Sequence, residues 1–80
     1  MKVKICGITR AEDARAAADA GVWAIGYIFY PKSPRYVTAE AAAKIGLGLP
    51  TSLERVGVFV NERPNEIERI SKAARLANPR

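Results

Sequence analysis

Histidine is absent from this 80-residue sequence, and cysteine, methionine and tryptophan occur once each. One cysteine cannot form an intramolecular disulfide, and without histidine it cannot build an ordinary structural zinc site. Cys6 is therefore either a small core residue or a chemical group. No apolar run approaches the ~20 residues that span a bilayer, and no short apolar segment of signal-peptide type precedes the first structural pattern, so a cytoplasmic setting is expected. Basic residues outnumber acidic ones by 13 to 8, but they are spread from Lys2 to Arg80 with no Lys/Arg-rich run. That spread argues against nucleic-acid binding and for a solvated surface, with room for a small anionic ligand.

What is present suits one small unit, since 49% of the residues are apolar and no tract is of low complexity. So short a chain buries proportionally little surface, and marginal stability is expected. Residues 2–6 alternate polar and apolar with period two and end at Gly7, which predicts a strand and a turn. Thr9 with Glu12 three residues on has capping-box spacing, residues 11–20 favour helix, and Gly21 is placed to close it. Residues 23–30 form a nearly continuous apolar run rich in aromatic and β-branched side chains, the pattern of a central strand buried on both faces. A proline-stiffened polar loop, Pro31-Lys32-Ser33-Pro34-Arg35, leads to Thr38 and a second helix reaching about residue 49 before Pro50. Residues 55–61 predict a third strand, and Pro64 introduces a third helix over about 65–77 with Ile67, Ile70, Ala74 and Ala77 on one face.

Three consecutive strand–helix units, over about 2–21, 23–49 and 55–77, predict a single α/β unit with a parallel sheet in order 1-2-3. Period-two alternation puts Lys2, Lys4 and Cys6 on one side of the first strand, with Val3 and Ile5 toward the helices. The same reading puts Arg55, Gly57, Phe59 and Asn61 on the helix-free side of the third strand and its valines toward the helices. Cys6 and Asn61 would then share the helix-free side, near the C-terminal strand ends where (βα)8 barrels build their sites.

At each of these positions a structural explanation competes with a chemical one. Cys6 is a small buried hydrophobe or a thiol at a site, and Arg35 is a solvated loop charge or an anion ligand. Gly7 is a plain turn residue or one needing positive φ or close approach to a ligand. Asn61 lines a site or caps the following turn.

Three strings carry a resemblance that weighs on these alternatives. Lys4-Ile5-Cys6-Gly7-Ile8-Thr9 with Glu12-Asp13-Ala14 resembles the opening of phosphoribosylanthranilate isomerases. Gly26-Tyr27-Ile28-Phe29 with Lys32-Ser33-Pro34-Arg35-Tyr36-Val37 resembles their second strand and loop, and Val56-Gly57-Val58-Phe59-Val60-Asn61 their third strand. The resemblance implies a (βα)8 fold and an Amadori rearrangement, in tryptophan biosynthesis, of phosphoribosylanthranilate to the corresponding 1-deoxyribulose 5-phosphate. No metal or organic cofactor is implied. Cys6 would be the general base that takes the C2′ proton after an acid opens the ribose ring, and Arg35 would meet the anthranilate carboxylate. Gly7 and Asn61, on their positions and not on the resemblance, stay candidates for the substrate-facing set beside their turn roles. A cysteine base works near neutral pH when a cation favours its thiolate, and Lys4 on the same face is a candidate cation.

Measured against the resemblance, the chain stops before a fourth strand. The family's general-acid aspartate and its phosphate loops would lie in the part not represented, and Asp13 and Asp19 fall in the first helix. The isolated chain is therefore expected to be inactive. An alternative reading is a non-catalytic barrel fragment that self-assembles or complements a missing C-terminal part. An open sheet with two free edges, leaving Ile28 and Phe59 in water, would favour such homo-oligomers. A flavodoxin-like module fails for want of a glycine-rich phosphate loop.

Overall fold

The structure, a computed structural model, describes residues 2–76. Its elements alternate as β1 (Lys4–Cys6), α1 (Ala11–Asp19), β2 (Ala24–Ile28), α2 (Ala39–Ile45), β3 (Glu54–Val58) and α3 (Pro64–Ala73). The three strands are parallel in order β1-β2-β3, as the repeated strand–helix pattern predicts. Ala77, placed by the sequence at the end of the third helix, lies outside the described residues.

The core sits between β2 and the helices. Tyr27 and Ile25 are its largest fully buried side chains, and Ala14, Ala17 and Ala42 face them from α1 and α2. Small residues on the helices let them approach the sheet closely, while large residues on the strand fill the space between. Phe29 extends this layer to Phe59, with ring centroids 5.4 Å apart.

Local chemistry explains most element ends. Thr38 caps α2 by accepting a hydrogen bond at Oγ1 from the Ala41 N–H, 3.1 Å. At the end of α1, Gly21 takes φ +79, its N–H donates to the Ala18 carbonyl, and the Val22 N–H donates to the Ala17 carbonyl. That is a Schellman closure, which glycine enters without steric cost. Arg75 makes the equivalent closure after α3 at φ +58, where a side chain costs about 1 kcal/mol.

Three expectations need correction. Thr9 does not cap α1: the cap is Arg10, which makes no side-chain cap bond and instead pairs with Asp13 at 3.0 Å. The second helix ends at Ile45, short of residue 49, because Gly46 and Gly48 lower helix propensity and Gly48 takes φ +78.

The third correction concerns the faces of β3. Its register runs Cys6–Gly26–Val56 and Ile28–Val58, so Val56 and Val58 share the helix-free face with Cys6. Gly57 and Phe59 lie toward the helices, since a Cβ at Gly57 would meet Phe59, Leu76 and Phe29 within 3.1 Å. Arg55 also points that way, with its guanidinium against Gly46 at the C-terminus of α2. There a cation complements the helix dipole. Barrel interiors favour branched aliphatic residues, so valine alternation marks the inner face. Phe59 accordingly packs in the core layer, and on the helix-free face Ile28 is half-buried.

Candidate active site

The turn after β1 sets the geometry of the site. Gly7 takes φ +85, and the N–H groups of Gly7 and Ile8 both donate to the Gly26 carbonyl, at 3.0 and 3.1 Å. Two bonds to one oxygen clamp the strand end on β2. Cys6, the last residue of β1, is exposed, and its Sγ lies 2.9 Å from where a side chain on Gly26 would begin.

The loop between β2 and α2 brings a cation to this point. The Ser33 N–H donates to the Tyr30 carbonyl and the Tyr36 N–H to the Ser33 carbonyl, at 2.9 and 3.1 Å. These are two successive β-turns, each with proline at its second position, where the fixed φ favours the turn. The Ser33 hydroxyl also accepts the Arg35 N–H at 3.1 Å. Tyr36 then returns to bridge Ile28. The consequence is that Arg35 lies over Gly7: a Cβ there would sit 2.6 Å from Arg35 Cδ and 3.0 Å from Nη1. Gly7 thus supplies the left-handed backbone of the turn and leaves free the space that Arg35 occupies.

Cys6, Gly7, Ile8 and Arg35 line one open depression of about 470 Å³, whose far wall is Ile5, the Asp13, Ala16 and Ala17 face of α1, and Ala20 at its C-cap. Lys4 lies one side-chain repeat back on the same face, in register with Ala24, so the cation set against the turn after Cys6 is Arg35. Asn61 does not line the depression. It is exposed at φ +52, five residues beyond Val56, the β3 residue in register with Cys6 through Gly26. Asparagine tolerates that conformation, so the turn alone accounts for it.

Asp13 is the one carboxylate lining the depression among the described residues. Its hydrogen bond from Arg10 holds the carboxyl below the usual aspartate range. It is ionised at neutral pH and unsuited to donate a proton. Asp19 is paired with Arg15 on the exposed side of α1, 3.6 Å away. No group of three His, Cys, Asp or Glu side chains among the described residues could hold a metal ion, and no described helix is long and apolar enough to cross a membrane.

Two residues of the site were not singled out by the sequence. Ser33 orders Arg35, and its signal is a serine two residues before the residue it binds, in a proline turn. Gly26 sits against the thiol, and its signal is a glycine inside an otherwise apolar strand.

Three parallel βα units with a thiol and an arginine gathered at the C-terminal strand ends fit part of a (βα)8 barrel. Comparison with known proteins narrows the class. Residues 3–78 match the model of the N-(5'phosphoribosyl)anthranilate (PRA) isomerase family, and the chain belongs to that family. The N-(5'-phosphoribosyl)anthranilate isomerase of Solibacter usitatus is 55% identical over 76 residues, covering 95% of this chain and 37% of the relative. That of Thermotoga maritima is 47% identical with the same coverage. The crystal structures of the Thermotoga maritima and Thermus thermophilus enzymes each match with a TM-score of 0.92 at 47% identity. Another matching structure, with a TM-score of 0.91, is a phosphoribosyl anthranilate isomerase in complex with reduced 1-(o-carboxyphenylamino)-1-deoxyribulose 5-phosphate. The chain thus spans little more than a third of the curated relatives' length, 36–37%.

Proposed function

We propose that this chain carries the base-bearing part of a phosphoribosylanthranilate isomerase, acting in tryptophan biosynthesis once the rest of the barrel is supplied. The observation that carries the reading is the seating of Arg35 over Gly7, directly beside Cys6, at the C-terminal end of β1. In the proposed reaction an acid protonates the ribose ring oxygen, and the ring opens to an iminium at C1′. Cys6 as thiolate then removes the C2′ proton, and the C2′–H electron pair forms the C1′–C2′ double bond of an enolamine. Return of a proton to C1′ and loss of one from the C2′ hydroxyl give the ketose and regenerate acid and base.

Arg35 forks onto the anthranilate carboxylate, a contact its planar guanidinium can make bidentately. Gly7 supports that arginine from below. No cofactor is needed for a proton shift between adjacent carbons. The proposed setting is the cytoplasm, where a phosphorylated sugar is retained.

The lack of a suitable acid among the described residues makes the isolated chain inactive under this reading. Positioned acid catalysis alone contributes about 10²–10⁴-fold. In a barrel completed by a second chain, Cys6→Ser should nearly abolish kcat while changing KM only a few-fold, because an alkoxide forms far less readily than a thiolate. Wild-type kcat in that variant removes Cys6 from the mechanism.

A second reading, a non-catalytic fragment that associates through its open sheet, is favoured by exposed apolar residues in and next to the outer strands. Val3 and Ile5 are 48% and 40% exposed, and Val60 is 44% exposed. One related structure concerns monomers generated from a dimeric Thermotoga maritima isomerase. Sedimentation of the dilute chain tests this reading: a monomer without exposed apolar surface contradicts it.

A further inference from the structure

Glycine in a strand interior costs conformational entropy and contributes no packing, so its presence marks a place where something needs the room. Gly26 lies within β2, the central strand. Its φ is not positive, so its backbone conformation is open to any residue. The requirement is space. Gly26 is in register with Cys6, and a Cβ there would sit 2.9 Å from Cys6 Sγ and 3.4 Å from Cys6 Cα. Its carbonyl also accepts both N–H groups of the turn that follows Cys6.

We propose that Gly26 is the positioning residue of Cys6: its missing side chain lets the thiol lie across β2 at the helix-free face, while its carbonyl holds the turn behind it. This deepens the reading of Cys6 as base and rests on it. A cysteine has one side-chain torsion with three staggered positions. A methyl at position 26 excludes the position the thiol occupies and forces it into one of the other two.

The test uses the chain as it stands, because Cys6 is its sole cysteine. Four proteins are compared for thermal unfolding: the parent, Gly26→Ala, Cys6→Ala and the double variant. Overpacking of a strand position should lower the Tm of Gly26→Ala by about 5 °C or more, and most of that loss should disappear when Cys6 is alanine, whose own Cβ keeps ordinary distance. Iodoacetamide should alkylate Cys6 several-fold faster in Gly26→Ala at unchanged circular dichroism, and low urea should leave that rate unchanged, whereas alkylation through loosening of the strand would accelerate with it.

If Gly26→Ala does not fold, recovery of the fold in the double variant supports the proposal and failure to recover it overturns it. In folded variants, an equal Tm loss in both backgrounds or an alkylation rate within two-fold of the parent also overturns it. None of these readouts depends on turnover. A positioned thiol whose Cys6→Ser variant keeps full activity in a completed barrel would remove the base reading and leave the positioning intact.

Discussion

Replacing Gly7 by alanine creates two separable difficulties, and the chain contains its own control for one of them. Gly7, Gly21 and Gly48 have nearly the same backbone, with φ of +85, +79 and +78. Around Gly21 and Gly48 an added Cβ meets nothing within 4 Å, whereas at Gly7 it meets Arg35 Cδ at 2.6 Å. Gly21→Ala and Gly48→Ala therefore report left-handed strain alone, about 1–2 kcal/mol each. For a chain of this size each kcal/mol lowers Tm by about 4–8 °C.

Gly7→Ala carries the same strain plus the displacement of Arg35. A long side chain can swing aside, so the excess should be modest, up to about 1 kcal/mol beyond the other two. Thermal unfolding followed by circular dichroism, with each variant also made in an Arg35→Ala background, isolates that excess. It should vanish when Arg35 is alanine. Equal losses at positions 7 and 21, or an excess that survives Arg35→Ala, refute the contact between Gly7 and Arg35.

Three further outcomes follow from the site and the core. In a completed barrel Arg35→Ala should raise KM for phosphoribosylanthranilate with a smaller effect on kcat, because a carboxylate contact made throughout the reaction is uniform binding; an unchanged KM makes Arg35 a surface charge. Tyr27→Phe should change stability by less than about 0.5 kcal/mol in a denaturant titration, since its fully buried hydroxyl has no hydrogen-bond partner among the described residues. A loss above about 2 kcal/mol would reveal a bond that the geometry does not contain. Asp13 and Glu66 have carboxyls held below their ordinary values of 3.8 and 4.5, chiefly by hydrogen bonds from Arg10 and Arg69. Their stabilisation is present above those values and is lost as pH falls through the lowered folded values, so the unfolding midpoint should begin to drop below about pH 4.5. Both pairs are exposed, so the drop should be shallow and be reduced by about 1 M salt; a drop in Asp13→Asn with Glu66→Gln as steep as in the parent contradicts this origin.

The parallel βα order was legible because each strand–helix step left its own mark: alternation up to Cys6, the apolar run of β2, and helix formers bounded by Gly21 and Pro64. The facing of β3 was not legible. Its two faces carry Val56 and Val58 against Gly57 and Phe59, so both are apolar and alternation has no polar side to point outward. What decides the facing is Leu76 and Phe29 closing on Gly57, contacts made across the fold. The early end of α2 was legible in principle, since Gly46 and Gly48 interrupt the helix formers.

At the site, Cys6 and Arg35 stood out because a thiol and a guanidinium are chemically distinctive and lie within recognisable strings. Ser33 and Gly26 contribute position instead of reactivity, and position exists only after folding. The cation beside the Cys6 turn illustrates the same limit. Lys4 is near in sequence, but two proline turns deliver Arg35 from the next unit.

A divided barrel with a thiol base and its neighbouring arginine in one part is the proposed arrangement. Its most direct measurement is turnover of phosphoribosylanthranilate by the purified chain, alone and mixed with a chain supplying the fourth to eighth βα units of a relative. No turnover by the chain alone, turnover in the mixture, and loss of that turnover with Cys6→Ser are expected. Turnover by the chain alone that Cys6→Ser abolishes would contradict that arrangement, because a complete acid–base pair would then reside within these 80 residues.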